Sequence, residues 1–511
     1  MNYGKLILDK FLEQKNKTAL INGSTGEQIS YSELAHKILD VASSLIDRGV
    51  QEGDIVAICS ENRIEYFVTV VAVYYVGAVV TFFNIAYTKD ELIHTANISK
   101  PKHCFFSTTA HKVHYETLKK LNILQNVFVF GKTTEEGISF DDLFSEEAKK
   151  DVLPADHQGK VQTSLILYSS GTTGLPKGAK ITNQNLITTL FQKQITSNDS
   201  TLLTVTPWCN TYGIMTMKDG LSYGRTIIFL ERFEETMYLQ VIQKYKVKAL
   251  VVAPPTLIVM SKSSVLDMYD VSSVELMHSG GAPLDSDVIT LVKSRFKNLH
   301  HVTQGYGMTE ATGIICRDID LYPKQGSVGK VLEGITVKVV DAQTRKILGP
   351  NHAGEVCVKG LALFDGYIGK ERGDDFDEEG FFKTGDVAYY DNEGFFFIVD
   401  RIKELIKYKA WQVSPSELEA VLLLHPSVKD VGVTGIPDPT AGELPVAFIV
   451  KKPGAFVTEK EIFDFVATKV SPWKRLRGGV IFIEEIPKTG SGKILRRQLR
   501  AMIQKKPSSK L

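Results

Sequence analysis

The amino-acid sequence predicts an α/β protein with a large layered N-terminal domain, which includes a small β-barrel-like subdomain, and a small α+β C-terminal domain. In the first part of the chain, helical patterns alternate with apolar runs: a helix that begins with a capping box at Ser30 precedes the buried strand 55–59. Short β-rich runs separated by glycine turns come next. New capping signals at Ser414 and Thr458 then indicate a second compact unit. We therefore expect an α/β body at 1–325 and a β-rich subdomain at 326–400, which together form an N-terminal domain 1–400, a connection at 401–404, and a C-terminal domain at 405–511.

The composition excludes several classes of function. The 511 residues include 60 Lys and Arg against 59 Asp and Glu, so the net charge is +1. A balance this close to zero argues against bulk binding to nucleic acid or to an anionic membrane. The five cysteines are widely spaced and form no C-x-x-C pair, which is typical of reduced interior thiols. The composition fits an enzyme that acts on small molecules.

One uncharged stretch, Tyr66 to Thr88, is long enough to be considered as a membrane span. Gly77 and Asn84 interrupt it, and the run 79–83 has the composition of a strand. We therefore predict a buried helix followed by a buried strand, and no transmembrane segment.

The chain contains a loop suited to binding phosphate. It follows an apolar run that predicts a strand, 165–168, and it precedes Thr182, a plausible N-cap for a helix from about Asn183. Glycines let backbone N–H groups approach an anion, hydroxyls donate to its oxygens, and a lysine adds a positive charge. A plain glycine-rich turn is an equally good reading of this stretch alone. Its residues are Ser169, Ser170, Gly171, Thr172, Thr173, Gly174, Leu175, Pro176, Lys177 and Gly178.

A second glycine-punctuated loop is predicted at 303–310. In it, Tyr306 is suited to stack on a purine, Thr309 to donate to a phosphate and Glu310 to help hold Mg²⁺. The small-residue run 278–283 is suited to form the wall for a flat ring. Structural turns explain both stretches equally well when each is taken alone.

Three further positions carry candidate chemistry. Asp386, in a Thr-Gly-Asp run, is placed to accept both hydroxyls of a ribose, and Arg401 is a candidate neighbour of the same sugar. Lys493 lies on a predicted flexible loop ahead of a basic helix, where it can neutralise charge that develops on a carboxylate and a phosphate as they react. A turn aspartate, a surface arginine and a solvated basic terminus are the ordinary readings of these residues.

Taken together, these motifs resemble the adenylate-forming superfamily of acyl-CoA synthetases, aryl-CoA ligases and beetle luciferases, over nearly the whole chain. Within the superfamily the chain is most similar to the insect luciferase and luciferase-like branch, with plant coumarate ligases nearby, on the basis of the run 476–480 and the Ser-Lys-Leu ending. The runs that carry the superfamily resemblance are 169–178, 305–310, 384–386, 400–407 and 490–493.

The resemblance implies a two-step reaction. A carboxylic acid reacts with ATP, in the presence of Mg²⁺, to give an acyl-adenylate and pyrophosphate. The C-terminal domain then rotates, and coenzyme A displaces AMP; in luciferases oxygen attacks the adenylate instead. Exchanging one domain face for another would let a single site exclude water and later admit a thiol.

The resemblance also implies roles for individual residues. Ser169 to Lys177 would hold the β- and γ-phosphates, Thr309 and Glu310 would contact phosphate and Mg²⁺, and Asp386 and Arg401 would bind ribose. Lys403 would be the hinge, Lys493 would assist adenylation, and Lys407 would replace it after rotation. The residues that would frame the adenine and the acyl group are Gly280, Gly281, Ala282, Gly305, Tyr306 and Gly307.

Two positions depart from the pattern of the superfamily. Asn210, which with Tyr212 and Gly280 would line the substrate pocket, stands where many members have a histidine, and an amide cannot become cationic. Ala410 replaces a usual glycine beside the expected path of pantetheine, so its methyl group would narrow that path. The neighbouring Cys209 is expected to be a packed thiol.

The sequence leaves three functions open. The first is an ATP-dependent acyl-CoA synthetase for a medium- or long-chain fatty acid, the second is a luciferase, and the third is a non-catalytic binder of small carboxylates. The final residues, Ser509-Lys510-Leu511, match a peroxisomal address that is read by an import receptor, so a peroxisomal location is expected.

Overall fold

The computed structural model divides into two compact units. The first unit comprises Met1–Gly281, Asp287–Val337 and Val358–Phe382, and the second comprises Ala282–Ser286, Lys338–Cys357 and Lys383–Leu511. The residues that the structure describes are 1–131, 136–144, 152–156, 162–169, 176–193, 200–282, 284, 286–318, 323–409, 411–488 and 493–504.

Two sheets form the framework of the first unit. Over the described residues, one sheet has seven strands, which are parallel except for a final antiparallel hairpin. Its central strands read as near-continuous apolar runs because both faces are buried, as is usual for parallel sheets. In spatial order they are Ile138–Ser139, Asn126–Phe130, His103–Ser107, Ile55–Cys59, Val79–Phe82, Thr163–Ser169 and Lys177–Thr182.

The other sheet of the first unit has nine strands among the described residues, with a parallel centre and antiparallel edges. Parallel strands need crossover connections, and the helices between them supply these. In spatial order the strands are Lys330–Val331, Gly313–Arg317, His301–Met308, Leu276–Gly280, Ala249–Val252, Thr201–Thr204, Thr226–Phe229, Thr18–Asn22 and Gln28–Ser30.

Capping side chains set where many helices of the first unit begin. The predicted capping box of Ser30 with Glu33 is present, and Thr182 caps the helix that starts at Asn183, as predicted. The helices are Tyr3–Gln14, Tyr31–Asp47, Ile64–Tyr75, Lys89–Ser99, Thr108–Lys119, Asn183–Thr189, Thr211–Ser222, Glu235–Tyr245, Pro254–Lys262 and Ser286–Arg295.

The uncharged stretch from Tyr66 to Thr88 forms a helix that ends at Tyr75 and a strand at Val79–Phe82, which confirms the prediction. Every residue of the strand is buried. No helix within the described parts of the chain is both long and apolar enough to cross a membrane.

The second unit contains most of a four-stranded sheet and all of a five-stranded one, counted over the described residues. The first sheet is formed by Ile335–Val340, Gly354–Gly360, Phe382–Tyr390 and Phe396–Arg401. The second sheet is formed by Trp411–Val413, Ile406–Tyr408, Gly442–Lys451, Val428–Asp438 and Val480–Phe482. The helices are Pro415–Leu423, Glu459–Ala467 and Arg496–Gln504.

The architecture confirms the predicted fold class, while the exact domain limits, with a connection at 401–404, stay a prediction. One local prediction is wrong. The segment 303–308, predicted as a loop, is the end of the strand His301–Met308, and only Thr309–Ala311 form a tight turn. The strand continues because it pairs with the neighbours Leu276–Gly280 and Gly313–Arg317 on its two sides. Its glycines weaken the strand signal in the sequence.

Candidate active site

The ends of the predicted phosphate loop lie at the tip of a hairpin. Ser169 and Lys177 are directly opposite each other, and they are the last described pair of the two antiparallel strands. The loop residues between them, Ser170, Gly171, Thr172, Thr173 and Gly174, lie outside the described residues. The structure therefore brings together the two ends of the motif, and the roles of its central residues stay predictions.

A turn at Thr309 and Glu310 joins this hairpin through a tyrosine. The buried carboxylate of Glu310 accepts a hydrogen bond of 2.6 Å from the hydroxyl of Tyr367. The ammonium group of Lys177 lies over the ring of the same tyrosine, 4.9 Å from its centroid. Lys177 and Glu310 thus share Tyr367, which places the candidate phosphate ligand and the candidate metal ligand at one location.

Tyr367 is a residue that sequence reasoning missed. Its backbone forms an antiparallel bridge to Ala179 in the hairpin. The next hairpin residue, Lys180, forms an ion pair of 3.1 Å with Asp365, two positions before Tyr367. Fifty-seven residues separate Tyr367 from Glu310, so no short motif could reveal the contact.

The side chain of Thr309 is also fixed by a partner that was not predicted. Its hydroxyl lies 2.6 Å from the hydroxyl of Thr211, at the start of the helix Thr211–Ser222. The first N–H groups of a helix and its dipole favour an anion at this end. The helix start and the Thr309 hydroxyl therefore form a polar surface beside Glu310.

The predicted small-residue wall lies at the ends of two adjacent strands, where Gly280 and Gly305 are paired. A side-chain carbon at Gly280 would lie 3.6 Å from the ring of Tyr212, and one at Gly305 would lie 3.1 Å from the ring of His278. Gly305 therefore lets the ring of His278 pack closely against the sheet, whereas a side-chain carbon at Gly280 would make only an ordinary contact with Tyr212.

The other residues of the predicted wall differ in their surroundings. Gly281 and Ala282 are exposed, and Tyr306 is half-buried. Gly307 has a structural reason to lack a side chain, because a side-chain carbon there would collide with the carbonyl group of Gly313. The hydroxyl of Tyr212 donates to the carbonyl oxygens of Val252 and His278, at 3.3 Å each.

Asn210 immediately precedes the helix that Thr211 begins, but its side chain does not cap that helix. Burial raises the pKa of the neighbouring Cys209 to about 12, so this thiol is neutral at physiological pH. A neutral thiol is a poor nucleophile. The structure thus agrees with the expected packed thiol at position 209.

In the second unit, Asp386 and Arg401 are directly opposite on paired strands and form an ion pair of 3.0 Å. Asp386 is buried, and its backbone N–H donates to the hydroxyl of Thr384. The structure therefore brings together the two residues expected to bind ribose.

The three candidate lysines of the second unit, Lys403, Lys407 and Lys493, are all exposed. Lys407 lies in the short strand Ile406–Tyr408, and its backbone N–H donates to Glu443. Ala410 lies outside the described residues. The run Ser509-Lys510-Leu511 also lies outside them, and the peroxisomal location stays a prediction, as do the roles of the three lysines.

Two family models match the chain. The model described as AMP-binding enzyme matches residues 9–368, and the model described as AMP-binding enzyme C-terminal domain matches residues 417–493. The chain belongs to the AMP-binding enzyme family. Because this family forms adenylates, the chain is an ATP-using enzyme of the ligase or luciferase type.

Relatives of this AMP-binding enzyme include both of these types. It is 40% identical to luciferin 4-monooxygenase of Nipponoluciola cruciata, over 99% of this chain and 95% of the relative. It is 36% identical to 4-coumarate–CoA ligase 1 of Petroselinum crispum, over 96% of this chain and 91% of the relative. The structure of ATP-bound MatB from Rhodopseudomonas palustris matches with a TM-score of 0.86 and 27% identity, over 99% of each chain.

Proposed function

We propose that the chain is an acyl-CoA synthetase: it joins a fatty acid or similar carboxylic acid to ATP and transfers the acyl group to coenzyme A. The observation that carries this proposal is the contact of Lys177 and Glu310 with one tyrosine, Tyr367. A cation from the phosphate hairpin and a buried carboxylate at one location suit a bound polyphosphate with its metal ion.

The proposed chemistry has two steps. A carboxylate oxygen of the acid attacks the α-phosphorus of ATP, and the bond to the pyrophosphate oxygen breaks. The thiolate of coenzyme A then attacks the acyl carbon, and AMP leaves as the carbon–oxygen bond breaks. In the first step, hydrogen-bond donors beside Thr309 stabilise the charge that develops on the phosphate.

The residues present fit a magnesium ion that is shared with the nucleotide. Among the described residues no group of three or more His, Cys, Asp or Glu side chains is placed to hold a metal alone. Mg²⁺ is commonly held by one or two carboxylates together with substrate phosphates, and Glu310 supplies one carboxylate. Bound there, the ion would neutralise phosphate charge and orient the pyrophosphate as the leaving group.

A luciferase is the second candidate, since a luciferin 4-monooxygenase is among the relatives. Oxygen addition beside the acyl carbon requires a base that removes a proton from the substrate. Asn210 cannot act as one. Burial and the charge of Arg317 lower the pKa of His278 to about 3, so this imidazole is a weak base. Attack by a thiolate needs no such proton removal, which favours the thioester product.

The test is a paired assay of pyrophosphate and acyl-CoA. The purified protein is incubated with ATP, Mg²⁺ and a panel of carboxylic acids, with and without coenzyme A. Pyrophosphate release that depends on the acid, with an acyl-CoA that forms only when coenzyme A is present, is the expected result. Light above a boiled control with candidate luciferins, without any acyl-CoA, would favour the luciferase. Binding without pyrophosphate would indicate a non-catalytic carboxylate binder.

A further inference from the structure

The helix Thr211–Ser222 and the strand Gly313–Arg317 run side by side from the candidate active site into the first unit. At one end the hydroxyls of Thr211 and Thr309 lie 2.6 Å apart. Farther along, a side-chain carbon at Gly313 would lie 3.5 Å from the side chain of Met215. Asp219 lies seven positions after Tyr212 in this helix, about 10 Å farther along its axis. The interface between the helix and the strand therefore begins at Thr211 and Thr309, in the candidate active site. It ends at a second location around Asp219, which we call the distal end.

Buried positive charge is concentrated at this distal end. Lys218, Arg225 and Arg317 are all buried, with residue exposures of 5%, 3% and 5%. The negative charge of Asp219 acts to raise the pKa of Arg225 and of Arg317, against the effect of burial. Asp219 already forms an ion pair of 2.5 Å with Lys218. Asp219 is thus paired with Lys218, and its negative charge also acts at longer range on the two buried arginines.

Arg317 has no carboxylate partner in an ion pair among the described residues. One of its terminal nitrogens donates to the carbonyl oxygen of Lys193. Its buried Nε has no hydrogen-bond partner within the part of the chain that the structure describes. Burial lowers the pKa of Arg317, and burial together with the charge of Arg317 lowers the pKa of Arg225 to about 10. A buried guanidinium without a carboxylate partner is costly, and an anionic ligand would remove that cost.

The sheet register places Arg317 beside the predicted substrate pocket. Gly280 pairs with Gly305, and Gly305 pairs with Arg317, so these three positions lie side by side on neighbouring strands. Residues directly opposite one another share a face of the sheet. The side chain of Arg317 is therefore on the face that carries the glycines expected to frame the acyl group.

We propose that Arg317 binds a second carboxylate at the far end of the substrate, so that the preferred acids are α,ω-dicarboxylic acids of medium length. This inference rests on the proposed acyl-CoA synthetase function and specifies its substrate class. Bidentate pairing with a carboxylate is the interaction for which a guanidinium is best suited. The first carboxylate would react beside Thr309, and the second would complete the pairing of the buried arginine.

The experiment compares acids of equal length with different distal groups. Pyrophosphate release is measured for monocarboxylic, ω-hydroxy and α,ω-dicarboxylic acids with the wild-type protein, Arg317→Gln and Arg317→Lys. The wild type is expected to show at least a tenfold higher kcat/KM for the dicarboxylic acid than for the monocarboxylic acid. Arg317→Gln should reduce kcat/KM for the dicarboxylic acid by about 10- to 100-fold, mainly through KM, and leave the monocarboxylic acid little changed. Arg317→Lys should restore part of the loss because it keeps the charge.

Arg295→Gln is the matched control, since Arg295 is also in the first unit and donates to backbone carbonyls and to Asp267. It should not change the preference between acids. Equal kcat/KM values of the wild type for both acids, or an equal loss for both in Arg317→Gln, would overturn the inference and leave the proposed function intact. A preference for the ω-hydroxy acid over the dicarboxylic acid would also overturn it.

Binding provides a readout that does not depend on catalysis or on the variants. Thermal unfolding of the wild-type protein is followed with each acid in the presence of ATP and Mg²⁺. Greater stabilisation by the dicarboxylic acid supports the inference even if no pyrophosphate is released, a result that would defeat only the proposed function. Equal stabilisation by both acids overturns the inference.

Discussion

The candidate residues around Glu310 in the first unit and the candidate lysines of the second unit are held in opposite ways. In the first unit, Glu310 is buried and bonded to Tyr367, and Thr309 is bonded to Thr211. In the second unit, Lys407 and Lys493 are exposed. The turn at Thr309 and Glu310 thus presents polar groups that packing has already fixed, whereas the lysines of the second unit are exposed charges whose position depends on the backbone that carries them.

In the second unit, hydrogen-bonded charged residues lie close in sequence to the exposed lysines. Arg496, three residues after Lys493, donates to Glu419 at 2.8 Å and to Glu404. Asp400 accepts hydrogen bonds from the hydroxyl of Ser414, which caps the helix Pro415–Leu423, and from the backbone N–H of Ser416 in that helix. The comparison teaches that packing fixes the polar side chains around Glu310 in the first unit, whereas in the second unit it fixes charged residues that are close in sequence to the lysines and leaves the lysine side chains exposed.

Removing one exposed lysine should have the largest effect on the reaction. Lys493→Ala is expected to lower the rate of pyrophosphate release on the order of a hundredfold, because a charge that stabilises the transition state is lost. Stability should change by less than about 0.5 kcal/mol, since the side chain is exposed. Pyrophosphate assays and thermal unfolding measure the two effects. Lys429→Ala, another exposed lysine of the unit, is the control, and equal rates for the two variants would contradict the role of Lys493.

The rigid frame of the first unit includes a carboxylate whose ionisation destabilises the fold. Burial raises the pKa of Asp318 to about 6, although one of its oxygens accepts from the backbone N–H of Gln304. An unfolded aspartate ionises near pH 4. Between about pH 4 and 6 the unfolded chain therefore loses this proton while the native protein keeps it, so stability falls as the pH rises through that window.

Asp318→Asn removes this titration. At pH 7 the variant should be more stable than the wild type by up to about 2 kcal/mol, and at pH 4 the two should be nearly equal. Denaturant unfolding at both pH values measures the difference. A difference that does not depend on pH would show that ionisation of Asp318 has no part in it.

Local signals predicted much of the framework but little of how the site residues are held. The hairpin strands, the cap at Thr182 and the uncharged helix and strand at 66–88 follow from periodicity and capping, which act over a few residues. The contact of Tyr367 with Glu310 joins residues 57 positions apart, and the contact of Thr211 with Thr309 joins residues 98 positions apart. Both contacts depend on sheet register. A single sequence carries no short-range signal for such pairs, and the glycine-rich end of the strand His301–Met308 was predicted as a loop for the same reason.

Tyr367→Phe tests whether the reaction requires the hydrogen bond that holds the carboxylate of Glu310 in place. The variant loses one hydrogen bond to a buried carboxylate, which is expected to lower kcat/KM for adenylation about tenfold and to raise the Mg²⁺ concentration required. Tyr390→Phe, which removes a hydroxyl bonded to the carbonyl oxygen of Leu348 in the second unit, should leave both values unchanged. If the two variants behave alike, the hydrogen bond of Tyr367 does not position Glu310 for the reaction.

Ser414→Ala should have the smallest effect and applies the same test to the second unit. The hydroxyl of Ser414 caps the helix Pro415–Leu423 and donates to Asp400, at the other end of the predicted hinge 401–404. Its loss should destabilise the protein by about 1 kcal/mol. Thr458→Ala removes the cap of the helix Glu459–Ala467 and should cost a similar amount. Only Ser414→Ala should change the ratio of the pyrophosphate-release rate to the thioester-formation rate, since only it releases a contact that spans the predicted hinge. An unchanged ratio in both variants would mean that the bond between Ser414 and Asp400 stabilises the helix without influencing the step from adenylate to thioester.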